Sequence, residues 1–172
     1  LHQTKVSVAV VVQKMVNSDI SGITFTVHPV TRDENQMVIE AAWGLGDAIV
    51  GGMVTPDTYI VDKSTINFQF SIFNFHSISN NQTPKPTSKP IPTSKPKPNF
   101  QILDVFESEQ DFKLIFQPGG GHQQVSPADN ERGRKLRDEK IIEVAKTCLA
   151  IEKHYGMPMD IEFAIENGKV YI

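Results

Sequence analysis

Cysteine is nearly absent from this sequence. Its 172 residues hold one, Cys148, so no internal disulfide and no multi-cysteine metal site can form. That usage suits a reducing compartment, and a cytoplasmic location is expected. No run approaches the roughly 20 apolar residues that a membrane-spanning helix requires. The net charge of −3 arises from mixed signs, without the clustered basic face that nucleic acid selects. Neither a membrane nor a nucleic acid is therefore expected as a partner. The five histidines, at 2, 28, 76, 122 and 154, show no metal-ligand spacing. The chain has no initiator Met and no signal-peptide pattern, and it stops inside a strand-like stretch, Lys169 to Ile172. A piece excised from a longer polypeptide is expected.

The apolar fraction, 39%, is low for a packed domain. One stretch accounts for much of this. Residues 79–99 repeat Pro-Thr-Ser-Lys-Pro at 86–90 and 92–96, with no acidic residue. Such a segment buries too little surface to offset its ordering entropy, and it reads as a disordered surface insert. The rest is ordinary globular sequence. Val6 to Val12 is a β-branched run that reads as a strand buried on both faces, extended by Gln13 to Val16. Further strands are expected at Ile23–Val27, Gln36–Ala41, Thr58–Asp62, Ile66–Phe75, Gln101–Phe106 and Phe112–Phe116, with Glu107–Asp111 as the turn between the last two. Pro118–Gly121 and Ser126–Gly133 read as loops, and Asp47–Val50 as a short helix or turn. Asp138 to Tyr155 is the one strong helix, with Asp138 as N-cap and an apolar face of Ile141, Ile142, Ala145, Cys148 and Leu149. Gly156 and Pro158 end it. Asn167-Gly168 then marks a hairpin between Asp160–Ile165 and Lys169–Ile172. The sum is α+β: several strands, one long helix and a loop excursion.

Three stretches carry candidate chemistry. In Asp160-Ile161-Glu162 the alternation of a strand puts both carboxylates on one face. Two such carboxylates repel unless a cation lies between them, and Mg²⁺ on nucleotide phosphates suits hard oxygen ligands. Gln13-Lys14-Met15-Val16 leaves a strand, where backbone groups can meet an adenine edge and Met15 can supply a polarizable contact. Trp43-Gly44-Leu45-Gly46-Asp47 is glycine-rich and follows a strand, as phosphate-cradling loops do, but lacks the ending of a P-loop. Each has a plain structural alternative: a solvated strand face, a strand end and an ordinary turn. His122, after Gly119-Gly120-Gly121, reads as a turn residue rather than a phosphoryl carrier. Cys148 reads as an inert core thiol.

Six blocks in order nevertheless resemble one family. They are Val12-Gln13-Lys14-Met15-Val16, Ser21 to Thr26, Val38 to Gly46, Val54 to Tyr59, Ala150 to Gly156, and Pro158 to Phe163. Together they resemble the ATP-grasp domain of the phosphoenolpyruvate synthase and pyruvate phosphate dikinase family. That resemblance implies an ATP-grasp-type lobe, a mostly antiparallel sheet with one long helix packed on it. Its parts would be 1–78, the insert 79–99, and 100–172, truncated before the end of the domain. It implies ATP and Mg²⁺ as cofactors. Gln13, Lys14, Met15 and Val16 would read adenine, Glu40 and Asp47 would stand near the phosphates, and Glu162 and Asp160 would hold the metal. The partners implied are an amino-terminal lobe and a phospho-histidine domain of the same polypeptide, the histidine passing phosphate to pyruvate. A fragment alone would be inactive. A rifampicin phosphotransferase-like enzyme and a non-catalytic interaction module are the alternatives. His28, Arg32, Asp47 and Arg137 depart from the family pattern of Asp or Asn, Gly, Glu and Ser.

Overall fold

Of the 172 residues, the computed structural model describes 8–63 and 101–172. The strand expected at Ile66–Phe75 and the insert 79–99 lie outside the described residues. The first element is strand β1, Ile20–Phe25, followed by β2, Gln36–Trp43, a one-turn helix α1, Asp47–Val50, and β3, Asp57–Asp62. After residue 100 come β4, Gln101–Phe106, a hairpin of β5, Lys113–Phe116, with β6, His122–Val125, a 3₁₀ turn at Asp129–Glu131, and helix α2, Asp138–Tyr155. Strands β7, Asp160–Glu166, and β8, Lys169–Tyr171, end the chain. The main sheet has the order β4-β3-β2-β1-β7-β8, and every neighbouring pair is antiparallel. The architecture is therefore mixed α and β, a mostly antiparallel sheet with one long helix.

Residue alternation divides this sheet into two different faces. Met37, Ile39 and Ala41 of β2, Tyr59 and Val61 of β3, and Ile161, Phe163 and Ile165 of β7 turn toward α2. They meet Ile141, Val144, Ala145, Cys148 and Leu149, the helix residues at i, i+3, i+4, i+7 and i+8. That spacing puts one continuous apolar stripe on the sheet. Val144 takes the buried place expected for Ile142, which is half-buried. Gly22 sits at the centre, where a Cβ would lie 2.1 Å from the Glu40 carbonyl and 2.4 Å from the Phe163 ring, so only glycine lets these strands close up. The cap lies one residue before the expected one, and the helix starts at Asp138 itself. Arg137 is the N-cap, with extended backbone and no side-chain bond, and Asp138 and Glu139 supply first-turn negative charge instead. Gly156 ends it in the left-handed conformation.

Two expectations fail. Residues 8–18 form no strand, and Val8, Val10, Val11 and Val12 are 81–94% exposed. β-branched residues favour strands only where a neighbour completes the ladder, and no described strand pairs with this segment. Likewise Glu107–Asp111 is no hairpin turn. β4 pairs with β3, whereas β5 pairs with β6, a strand that the polar sequence His-Gln-Gln-Val conceals.

The loop connections are pinned by a buried ion pair. Asp57, fully buried at the start of β3, accepts from Lys135 Nζ at 2.7 Å, Lys135 N at 2.8 Å, Tyr59 Oη at 2.8 Å and Ser108 N at 2.8 Å. Lys135 Nζ also donates to the Ser108 carbonyl, and Tyr59 Oη accepts from Leu136 N at 2.9 Å. Both charges are paired and their remaining bonding capacity is used. Removing one partner would leave the other charge buried, a loss of about 3–5 kcal/mol. Asp57→Ala should lower the unfolding free energy by that amount in urea titrations. An unchanged midpoint would show that the network does not hold the fold.

Candidate functional site

The sheet face opposite α2 is open. On it the register aligns Glu162 of β7, Ile23 of β1, Glu40 of β2 and Thr58 of β3 in one row. The next row holds Tyr171, Ala164, Ser21 and Ala42. The small side chains of Ala164 and Ser21 leave a depression in that second row, and a cavity of about 390 Å³ lies over them, beside Tyr171. The glycine-rich turn forms one side. Gly44 takes φ +89°, and a Cβ there would stand 2.4 Å from the Leu114 carbonyl. This close approach lets Leu45 N donate to that carbonyl at 2.9 Å, while Ser18 Oγ donates to the Gly44 carbonyl at 3.0 Å. The turn is thus fixed between the segment 8–18 and the β5–β6 hairpin.

The cavity gathers most of the residues expected from sequence. Gln13, Met15 and Val16 cover one side, Asp47 stands at the rim, and Glu162 projects from the strand floor. Lys14, Glu40 and Asp160 do not line it. Glu40 shares the row of Glu162 but stands two strands away, roughly 10 Å at the usual strand spacing. Asp160 and Glu162 are both exposed on the same side of β7, as the alternation requires. Among the described residues no three His, Cys, Asp or Glu side chains form a metal cage. Glu162 and Asp160 fit a hard cation that takes its other ligands from phosphate oxygens and water.

Ser21 is absent from the expected residues although it lies inside one of the family-like blocks. It is 2% exposed, lines the cavity, and its hydroxyl has no hydrogen-bond partner. Only the cross-strand register, with Ala164 and Ala42 on either side, reveals its place. Leu45 and Ile172 add apolar surface to the lining.

A larger cavity, about 490 Å³, lies among the loops around Trp43 and Glu107–Asp111. Size alone would favour it. Four of its polar side chains, Ser108, Gln110, Glu131 and Lys135, are engaged in holding the fold, however. Gln110 accepts from Trp43 N at 2.9 Å and donates to the Trp43 and Phe112 carbonyls at 2.9 and 2.8 Å. Glu131 pairs with Lys113, and Lys135 with Asp57. The smaller cavity holds five of the residues expected from sequence, together with the unpartnered Ser21 hydroxyl, and is taken as the candidate ligand site.

Titration follows position. Burial pushes the Glu40 carboxyl up. Burial also pushes the Cys148 thiol up to about 11, against a smaller pull from the adjacent Thr24 hydroxyl. That thiol is buried in the helix interface and is no nucleophile at neutral pH.

A cavity on one face of an antiparallel sheet, walled by a glycine-rich turn and floored by a strand carboxylate, has the form of a small-ligand site. The chain belongs to the family described as "Pyruvate phosphate dikinase, AMP/ATP-binding domain", whose model matches residues 1–172. It is 37% identical over 169 residues to a probable phosphoenolpyruvate synthase of Methanocaldococcus jannaschii, covering 98% of this chain and 11% of that protein. It is 37% identical over 179 residues to the phosphoenolpyruvate synthase of Pyrococcus furiosus, covering 98% and 18%. To the phosphoenolpyruvate synthase of Aeropyrum pernix it is 34% identical, covering 96% and 19%. The chain thus spans between a tenth and a fifth of the length of these relatives.

The raised Glu40 value has a sign that can be checked. A carboxyl whose folded-state pKa is raised binds its proton more tightly when folded. Stability therefore falls as pH rises from the ordinary carboxylate value through the raised one. Glu40→Gln should be more stable than wild type at pH 7, with the gap closing toward pH 4. Denaturant midpoints with a pH-independent gap would contradict the burial of this charge.

Proposed function

We propose that this chain is the ATP-binding part of a phosphotransferase that phosphorylates a carrier histidine on another domain, from which phosphate passes to pyruvate to give phosphoenolpyruvate. The observation that carries this reading is the convergence of Gln13, Met15, Asp47 and Glu162 on one cavity of the open sheet face. Met15 and Val16 offer apolar contact to a base, and the backbone of 13–16 supplies donors and acceptors for its edge. Glu162, with Asp160 beside it, would hold Mg²⁺, which neutralises charge on the phosphates during transfer. Asp47 stands at the turn side of the same ligand. In this scheme the chain's own residues position the phosphates and keep one end of the ligand out of water; no side chain here becomes covalently modified.

The test uses the full-length protein titrated calorimetrically with Mg·ATP, as wild type and as Glu162→Ala. Loss of one charge-assisted contact weakens binding by about 1.5–3 kcal/mol, roughly 10- to 150-fold. Equal binding by both proteins removes Glu162 from the site. No binding by either favours a non-catalytic interaction module.

A further inference from the structure

The walls of this cavity pose a charge problem. They contain two carboxylates, Asp47 and Glu162, and among the described residues no Lys, Arg or His lines them. A polyanionic ligand must nevertheless approach both. Asp47 is also poorly held by its own element. It opens a helix of four residues, Gly46 gives it no side-chain cap, and its side chain is 72% exposed. Left alone, such a carboxylate would sample several rotamers.

One side chain faces it. Nδ1 of His122 lies 3.6 Å from Asp47 Oδ2. The two come from elements far apart in sequence but fixed to one another. Leu114 of β5 is 1% exposed and packs with Leu45 and Ala48 on either side of Asp47. The Leu114 carbonyl accepts from Leu45 N, and His122 stands opposite Phe116 in the β5–β6 register. The hairpin is anchored by Leu114, and its exposed far end brings the imidazole beside the carboxylate.

We propose that His122 is a positioning residue of the nucleotide cavity: it holds the Asp47 carboxylate at the rim and sets how the phosphate side of the ligand is received. It acts through Asp47 and touches no reacting atom. This rests on the nucleotide reading above and names a residue of the same site. The His122 side chain is 48% exposed, so its replacement leaves the core intact.

The experiment uses the full-length enzyme as wild type, His122→Ala, His122→Lys, Asp47→Ala, the His122→Ala/Asp47→Ala double variant, and Glu162→Ala. Each is assayed for kcat and for KM with Mg·ATP. An exposed pair of this kind is worth about two- to fivefold. His122→Ala should raise KM by that factor with kcat unchanged, and His122→Lys should restore it by returning a nitrogen to the carboxylate. In the Asp47→Ala background His122→Ala should have no further effect. A wild-type KM in His122→Ala, a fall in kcat alone, or a full effect in the absence of Asp47 each overturns the assignment. If Glu162→Ala weakens ATP binding while His122→Ala does not, only the role of His122 falls. If Glu162→Ala leaves ATP binding unchanged, the nucleotide reading falls and takes this assignment with it.

Discussion

Asp57 carries its carboxylate into a place that water does not reach, and the arrangement of two loops follows from the need to satisfy it. Its two oxygens collect donors from β3 itself, from the turn after β4, and from the segment before α2. The last two of these segments have no strand or helix geometry of their own to fix them. A buried carboxylate with several charge-assisted bonds supplies the missing constraint, because leaving any donor unmade would cost more than a surface contact returns. The consequence reaches α2. Lys135 and Leu136 are held to Asp57 and Tyr59, so the helix begins at a fixed point above the sheet. A second pair acts at the other end, where Lys63 Nζ binds both Glu152 oxygens at 2.9 Å and the Thr26 carbonyl at 2.5 Å. Between these two anchors the apolar stripe of α2 has one register on the sheet.

Covering one face so firmly leaves the other face for a ligand. The helix side is filled by large aliphatic residues, whereas Ser21, Ala42 and Ala164 keep the opposite side low. The same alternation that sends Ile161 and Phe163 inward sends Asp160 and Glu162 outward. Core and candidate site are thus two outcomes of one period-two pattern.

That pattern explains what was legible in the sequence. Helix α2 and the β7–β8 hairpin are written locally, in the apolar spacing and in Asn167-Gly168, both of which adopt positive φ. The outward placement of Asp160 and Glu162 is equally local. The hidden features depend on partners far along the chain. Nothing near Asp57 signals Lys135, which lies 78 residues away, and nothing near Asp47 signals His122. Ser21 gains its importance from neighbours on two other strands. Val8 to Val12 shows the converse error, a strong local signal for a buried strand where no strand among the described residues pairs with it. The family resemblance reached the cavity residues Gln13, Met15, Val16, Asp47 and Glu162 because blocks of sequence hold pairing information that a single residue lacks.

The strand order has a bearing on how the molecule is made. β1 lies in the interior of the sheet, but one of its two neighbours is β7, so that Ile20 pairs with Ile165. On a ribosome adding about 5–20 residues per second, roughly 7–30 s separate the two strands. Through that interval β1, β2 and β3 can form a meander whose β1 edge has unmet amide and carbonyl groups, and whose helix-facing side is bare until α2 follows. An unprotected edge of that kind pairs readily with other chains. Newly made protein should therefore be most vulnerable to association before residue 165 appears, and the closing of β7 onto β1 is the step that turns the open β1 edge into a paired one.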